Sequence, residues 1–332
     1  MTRSFFAVIL IFFLGSCAPL APAEPSPTVT SPIPTETATL QPTETLPSPT
    51  STDVPPTATP TTSPTSTDSP PTQTLLPTSI ATHEIRDLRL TIIYDNTAYD
   101  DRLTPEWGFS ILVEYGEHTV LFDTGGSRTF MDNLHILDLD PKSVEVVVLS
   151  HDHGDHIGGL LPFLEEAGQP PVYVPKQFSW SFKRTVSDRT EVIEVDAPME
   201  IFPGIYSTGQ VYGGRVHEQG LAIDLGDEIV VITGCAHPGV VQMTRQGCSA
   251  VQRSTGVDDK PIALVIGGFH MMDASQGQVE AVIADLRELG VTQVSPTHCT
   301  GEETIAMFAD LLGDDYVPGG AGQVIIIPGD DG

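Results

Sequence analysis

Five of the six residues from 151 to 156 carry titratable side chains, in the run Ser150-His151-Asp152-His153-Gly154-Asp155-His156-Ile157-Gly158-Gly159-Leu160. The run follows Val144–Ser150, an almost continuously apolar, β-branched segment that reads as a strand buried on both faces. So many polar groups at the end of a buried strand are costly unless they are paired, and a metal cation pairs them. Residues two apart on an extended chain point the same way, so His151 and His153 can share one ion. Asp155 and His156 enter the next turn and face a neighbouring ion, and Gly154, Gly158 and Gly159 let the backbone turn tightly around the pair.

Further chemistry-bearing residues follow at wide spacing. Asp123 ends a strand in Leu121-Phe122-Asp123-Thr124-Gly125-Gly126, and His237 sits in Gly234-Cys235-Ala236-His237-Pro238-Gly239. His270 closes Gly267-Gly268-Phe269-His270, and His298 lies in Pro296-Thr297-His298-Cys299-Thr300-Gly301. In this order, over nearly all of residues 88–328, the pieces resemble the metallo-β-lactamase fold superfamily, whose signature is His-x-His-x-Asp-His. The resemblance implies one metal on His151, His153 and His237 and a second on Asp155, His156 and His298, with Asp123 orienting ligands from behind. A water between two such ions loses its proton near neutral pH and becomes the nucleophile.

A narrower likeness adds Asp95-Asn96-Thr97 and Glu106-Trp107-Gly108-Phe109-Ser110 to these motifs. Together they resemble the branch named for 7,8-dihydropterin-6-yl-methyl-4-(β-D-ribofuranosyl)aminobenzene 5′-phosphate synthase. One departure stands out: where many dinuclear members carry a metal-bridging Asp in Thr-Gly-Asp, this chain has Thr233-Gly234-Cys235. Cys235 is then either a small buried residue, the reading favoured here, or a thiolate ligand. The same shift makes His217 a rival of His237. For His270 the choices are ligand, core histidine or, as favoured, a catalytic group contacting substrate. Asn96 and Glu106 are placed either on a loop over the metals or on plain surface, while His83, His118 and His135 have no partners in pattern.

The elements that must position these residues are legible in part. Leu88–Tyr94, Phe109–Tyr115 and His118–Asp123 read as strands, the last two a hairpin about Gly116-Glu117. Phe130–Leu137 reads as a helix, and Leu221–Leu225 with Glu228–Thr233 as a second hairpin. Ile262–Ile266, Val291–Val294 and Val324–Ile327 are further strands, and Gln278–Leu289 is an amphipathic helix stopped by Gly290. Antiparallel strands, then a helix, then strand-helix-strand predict an α/β fold of two packed sheets with helices outside, a four-layer αββα sandwich. No Gly-x-Gly-x-x-Gly follows the first strand, which argues against a doubly wound dinucleotide-binding sheet.

Composition divides the chain of 332 residues. Residues 18–82 hold 16 of the 29 prolines, no Lys or Arg and little to bury, so they read as a disordered Pro/Thr/Ser-rich tether and the catalytic domain as 83–332. Ahead of the tether, Arg3 and the apolar run Phe5–Leu14 end in Leu14-Gly15-Ser16-Cys17, which resembles a bacterial lipobox. Residues 1–17 are thus expected to be a lipoprotein signal, with Cys17 lipidated and the domain held on the extracytoplasmic face of a membrane. Cys235, Cys248 and Cys299 are odd in number, so disulfides are not the scaffold. Residues 83–332 carry 14 basic and 39 acidic side chains, a net of −25, which repels phosphate backbones and excludes nucleic acid as a partner.

The resulting expectation is a membrane-tethered, metal-dependent hydrolase of a small-molecule ester, phosphoester, lactone or amide, with Asp155 orienting the nucleophile and carrying its proton. One or two zinc ions are the default for so many histidines, with iron or manganese open. The alternative is a surface metal- or ligand-binding protein that keeps the fold without turnover.

Overall fold

Alternate residues of Val120-Leu121-Phe122 pack to opposite sides, Val120 and Phe122 into one core and Leu121 into another. Val230, Val231 and Ile232 do the same. Two sheets built this way, each apolar on both faces, need a shared core between them and helices outside. The computed structural model describes residues 87–329 of the chain, and these belong to a compact unit running from Pro77 to Gly332. The lipobox with Cys17, the Pro-rich tract and His83 lie outside the described residues.

The first sheet comprises β1 (Leu88–Tyr94), β2 (Ser110–Tyr115), β3 (His118–Phe122), β4 (Val146–Val148), β5 (Val172–Pro175) and β6 (Val192–Val195). Later in the chain come β7 (Met199–Phe202), β8 (Ile205–Ser207), the ribbon strands β9 (Val211–Gly213) and β10 (Val216–Glu218), then β11 (Leu221–Asp224), β12 (Ile229–Thr233), β13 (Ile262–Gly268), β14 (Val291–Thr297) and β15 (Val324–Ile327). The sheet orders are β15-β1-β2-β3-β4-β5-β6 and β14-β13-β12-β11-β8-β7. Strand β15 pairs antiparallel with β1, so the end of the chain closes the first sheet. Between the sheets lie Leu90, Ile92, Phe109, Phe122, Val148, Ile223, Val230, Ile232, Leu264 and Ile266.

The outer face of the first sheet is covered by α1 (Thr129–Ile136), α3 (Leu160–Ala167) and α4 (Trp180–Ser187), through Phe130, Phe163 and Val186, with the single turn α2 (Gly154–Ile157) between. The outer face of the second is covered by α5 (Val240–Thr255), α6 (Gln276–Glu288) and α7 (Glu302–Leu312), through Met243, Val251, Ile283 and Phe308. This is the expected α/β sandwich of four layers, αββα. Helix α6 starts at a capping box between Ser275 and Gln278, two residues before the predicted start. None of the described helices is long and apolar enough to cross a membrane.

One strand differs from expectation. The predicted Val144–Ser150 pairs as a strand only over Val146–Val148, because the Ser150 amide donates to Asp123 Oδ1 at 2.7 Å instead of to a strand neighbour. Breaking the ladder there is what turns the following histidines out of the sheet.

Candidate metal centre

Strands β3 and β4 run parallel, as do β12, β13 and β14, and the loops leaving their carboxyl ends meet. Asp123 follows β3, His151 to His156 follow β4, and Cys235 and His237 follow β12. His270 follows β13, and His298 follows β14 directly. Six histidine rings form one contiguous group. Ring centroids are 4.6 Å apart for His151 and His153, 4.6 Å for His151 and His237, and 4.9 Å for His153 and His237. His151 and His156 are 4.2 Å apart, His156 and His298 5.0 Å, and His237 and His270 4.5 Å.

Four of these rings are anchored in the same way. His156 Nδ1 donates to Asp123 Oδ2 at 2.7 Å, and His237 Nδ1 donates to Glu218 Oε2 at 2.9 Å. His298 Nδ1 donates to Asn96 Oδ1 at 3.0 Å. Ser150 Oγ donates to Asp123 Oδ2 at 2.6 Å and therefore accepts from His151 Nδ1 at 2.8 Å. With every Nδ1 committed as a donor, these partners assign the tautomer and leave each Nε2 with an in-plane lone pair. The buried His151 Nε2 has no hydrogen-bond partner. His156 Nε2 stands 3.2 Å from His298 Nε2, and Asp155 Oδ2 lies 3.3 Å from His298 Nε2 and 3.7 Å from His156 Nε2. Acceptors crowded this closely require a positive charge among them. A proton would serve His156 and His298, and a metal cation would satisfy the unpartnered His151 Nε2 together with the imidazoles around it. The donor set therefore fits a metal, and it is the nitrogen and carboxylate chemistry of zinc or its first-row neighbours.

Electrostatics divides the group. Burial, then the neighbouring His156, His237 and His153, hold the His151 imidazolium well below its ordinary range, and burial with His237 lowers His153. Burial also opposes a charge on His156, but the Asp123 carboxylate and then Asp155 outweigh it and move His156 upward. Asp155 is likewise held low against its burial, by the hydrogen bond with His298 and by His156. Burial pushes Asp95, which accepts from the His298 amide at 3.1 Å, up to about 6.

Residues missed by sequence reasoning do much of the positioning. The fully buried Glu218 accepts from the amides of Cys235, Ala236 and His237 at 2.9, 2.7 and 2.8 Å, as well as from the His237 ring. Against its burial, His237 keeps its carboxyl below the usual range. Its signal in the sequence was only an acid at the end of a short strand. Ser150 ties Asp123 to His151, while Asn96, weighed from the sequence as lying over the metals, reaches back through Nδ2 to the His298 carbonyl at 3.0 Å. Asp123, Ala236, His270 and His298 all have positive φ, between 46° and 58°. Non-glycine residues in that region cost about 1–3 kcal/mol each and are retained where the surroundings over-determine them.

The structure brings together all the expected ligands, His151, His153, Asp155, His156, His237 and His298, with Asp123 behind them. His217 is not among them: its ring lies 4.9 Å from that of Tyr212 on the β9-β10 ribbon, and alternation along β10 turns its neighbour Glu218 inward instead. Glu106 accepts from Ser127 Oγ at 2.6 Å, and its neighbour Trp107 stands edge-on to His298 at 5.0 Å. His118 and His135 pair with Glu145 and Glu166 away from the site. Cys235 is buried, as expected of a small residue, yet its Sγ lies 3.3 Å from His156 Nε2. Beside His237 and His270 a cavity of about 530 Å3 runs between α5 and α6, lined by Val241, Phe269, Met271, Val282 and the single cation Arg245.

Comparison with known proteins agrees with the fold. The family model described as the metallo-beta-lactamase superfamily matches residues 103–246. The chain is 28% identical to a 7,8-dihydropterin-6-methyl-4-(beta-D-ribofuranosyl)-aminobenzene-5′-phosphate synthase of Methanocaldococcus jannaschii, over 71% of this chain and 95% of that one. Among solved structures, Tm1679, described as a metal-dependent hydrolase of the beta-lactamase superfamily, aligns with a TM-score of 0.58 and 26% identity over 73% of this chain and 99% of its own. The metallo-beta-lactamase fold protein YhfI from Bacillus subtilis aligns with a TM-score of 0.53 and 15% identity over 73% of this chain and all of its own, a likeness of fold alone.

Proposed function

On the premise that this chain carries a metallo-β-lactamase superfamily domain, we propose that it is a metal-dependent hydrolase of a small-molecule ester, phosphoester, lactone or amide, tethered through lipidated Cys17 to the outer face of a membrane. The observation that carries the reading is the unpartnered His151 Nε2 at the centre of six clustered imidazoles. His151, His153 and His237 would hold one cation, and Asp155, His156 and His298 a second. Zinc, with iron or manganese as alternatives, would supply Lewis acidity and lower the pKa of a bound water.

The chain's own groups do the rest. Asp155 stays ionised beside His298 and His156, so it can orient the attacking water as a hydrogen-bond acceptor. Glu218, Asn96, Ser150 and Asp123 hold the four anchored rings in one tautomer, which removes the reorganisation that free imidazoles would need. His270, between His237 and the cavity, contacts the substrate, and the apolar lining takes its non-reacting part. The 26% identity to a metal-dependent hydrolase supports the reaction class.

The test is metal analysis of the purified protein, followed by a panel of chromogenic esters, phosphodiesters, lactones and β-lactams. One to two transition-metal ions per chain and turnover of at least one class are expected, and the His151→Ala, His153→Ala double variant should lose turnover and the tighter ion. Metal content unchanged in that variant overturns the ligand assignment, and full metal with no turnover on any class favours a binding protein.

A further inference from the structure

Three groups of ligand atoms, each within 4.8 Å of one another, converge at the site: His151, Cys235 and His237; His156, Cys235 and His298; and Cys235, His270 and Cys299. Cys235 is the one residue common to all three. It therefore stands between the two histidine sets that the proposed function assigns to separate cations. Its surroundings are not those of a thiol buried for packing, which behaves as a small hydrophobe among carbon atoms. Cys235 Sγ is instead 3.3 Å from the Nε2 lone pair of His156, and its backbone is clamped by the Glu218 carboxylate at 2.9 Å.

We propose that Cys235 is a bridging thiolate ligand, its sulfur shared by the cation of His151 and His237 and the cation of His156 and His298. The proposal rests on the metal-centre reading above and adds the donor which that reading lacks. Without Cys235 the assigned donors bring one negative charge, on Asp155, against two divalent cations. A metal-bound thiol is deprotonated outright, so coordination adds a second negative charge at the point equidistant in role from both sets. The other buried sulfur does not compete for this position. Cys299 groups with Cys235 and His270 but with neither histidine pair, and its thiol donates to the Cys235 carbonyl at 3.5 Å. Gly268, whose added Cβ would lie 2.7 Å from Cys299 Sγ and 3.2 Å from Cys235 Cα, is what lets β13 close on both cysteines.

The experiment is titration of the metal-free full-length protein with Co2+, read by visible and near-ultraviolet absorption and by bound cobalt. The wild type is expected to develop a sulfur-to-cobalt charge-transfer band that grows through both equivalents. Cys235→Ser should bind cobalt through its histidines, with ligand-field bands but no charge-transfer band and with the second equivalent weakened at least tenfold. Cys235→Asp should recover the second equivalent without the band, and Cys299→Ser should keep it. A band that stops growing after one equivalent overturns the bridge, and one that survives in Cys235→Ser but vanishes in Cys299→Ser assigns the sulfur to the wrong residue here. Cobalt bound at both equivalents by the wild type with no such band overturns the thiolate while leaving the histidine site intact. Failure of the wild type to bind cobalt overturns the metal-centre reading itself.

Discussion

His151, His156, His237 and His298 each commit Nδ1 to a partner, and burial with the neighbouring charges sets how strongly protons compete for His151 and His156. Lowered His151 and His153 stay neutral as pH falls below the ordinary histidine value of 6.5, whereas raised His156 begins to protonate sooner. A proton on a ligand excludes the cation, so acidification should empty the His156-His298-Asp155 position first. Stepwise dialysis from about pH 8 to about pH 5, with metal counted at each step, is expected to show two releases, the earlier being the one that His298→Ala abolishes. A single release, or the opposite order, contradicts the assignment. Glu218 gives a second prediction at this scale. Glu218→Gln removes the charge facing the His237 N–H and sets an amide N–H against it or against three backbone donors. Metal affinity measured against a chromophoric chelator should fall about 10–100-fold, and the thermal midpoint of the metal-free protein should fall as well, because a buried donor then faces donors. Unchanged affinity would mean that Glu218 only pins the loop.

At the scale of elements, the site depends on how closely the loop after β12 approaches the one after β4. Gly234 sits at that approach: a Cβ there would lie 2.2 Å from Ser150 Oγ, 2.5 Å from Ser150 Cβ and 3.2 Å from Asp123 Oδ2. Gly234→Ala must push Ser150 away from Asp123, and overpacking of this kind costs about 1–3 kcal/mol. A lower midpoint in thermal unfolding is expected, together with weakened metal binding because His151 loses the Ser150 acceptor. Loss of stability without loss of metal affinity would show that the Ser150-Asp123 link is structural only. Gln219 ties the same region across the sheets, its amide donating to Ser150 O at 2.9 Å and its side chain to Leu149 O at 2.9 Å. The ribbon β9-β10 thus serves to deliver Glu218 and Gln219 to the gap between the two sheets, which explains why a strand pair of three residues each is kept there.

At the scale of the whole molecule, charge bears on which partners approach. A net of −25 on residues 83–332 slows association with polyanions, and salt screens the effect. Should a small phosphodiester be cleaved, an oligonucleotide carrying the same bond is expected to react more slowly at low salt and to gain on it as salt rises. Equal rates at all ionic strengths would remove electrostatics from substrate choice. The lipobox resemblance carries a separate prediction. Cys17→Ser should release the protein from the membrane fraction or leave it unprocessed, because acylation is the proposed anchor. Normal processing with full membrane retention in that variant would place the anchor elsewhere.

Local spacing was enough to single out His151, His153, Asp155 and His156 as candidates, because His151 and His153, two apart on an extended chain, point the same way and the next turn carries Asp155 and His156. It was enough, too, for the hairpins β2-β3 and β11-β12 and for the two-sheet sandwich, whose signals are alternation, β-branching and turn glycines. What local spacing does not contain is which distant atom finishes each interaction. Asn96 meets His298 across 202 residues, His298 meets His156 across 142, and Cys235 meets His156 across 79. Those meetings are decided by parallel strands ending at one edge of two packed sheets. The inward turn of Glu218 rather than His217 is decided by the pairing of a three-residue ribbon whose register no periodic pattern marks. The sequence by itself determined the ligand types and the layers, since both are written in neighbouring residues. Only the tertiary structure decided the tautomers, the unpartnered His151 Nε2 and the position of Cys235 between two histidine sets, since each depends on atoms that come together only when the two sheets pack.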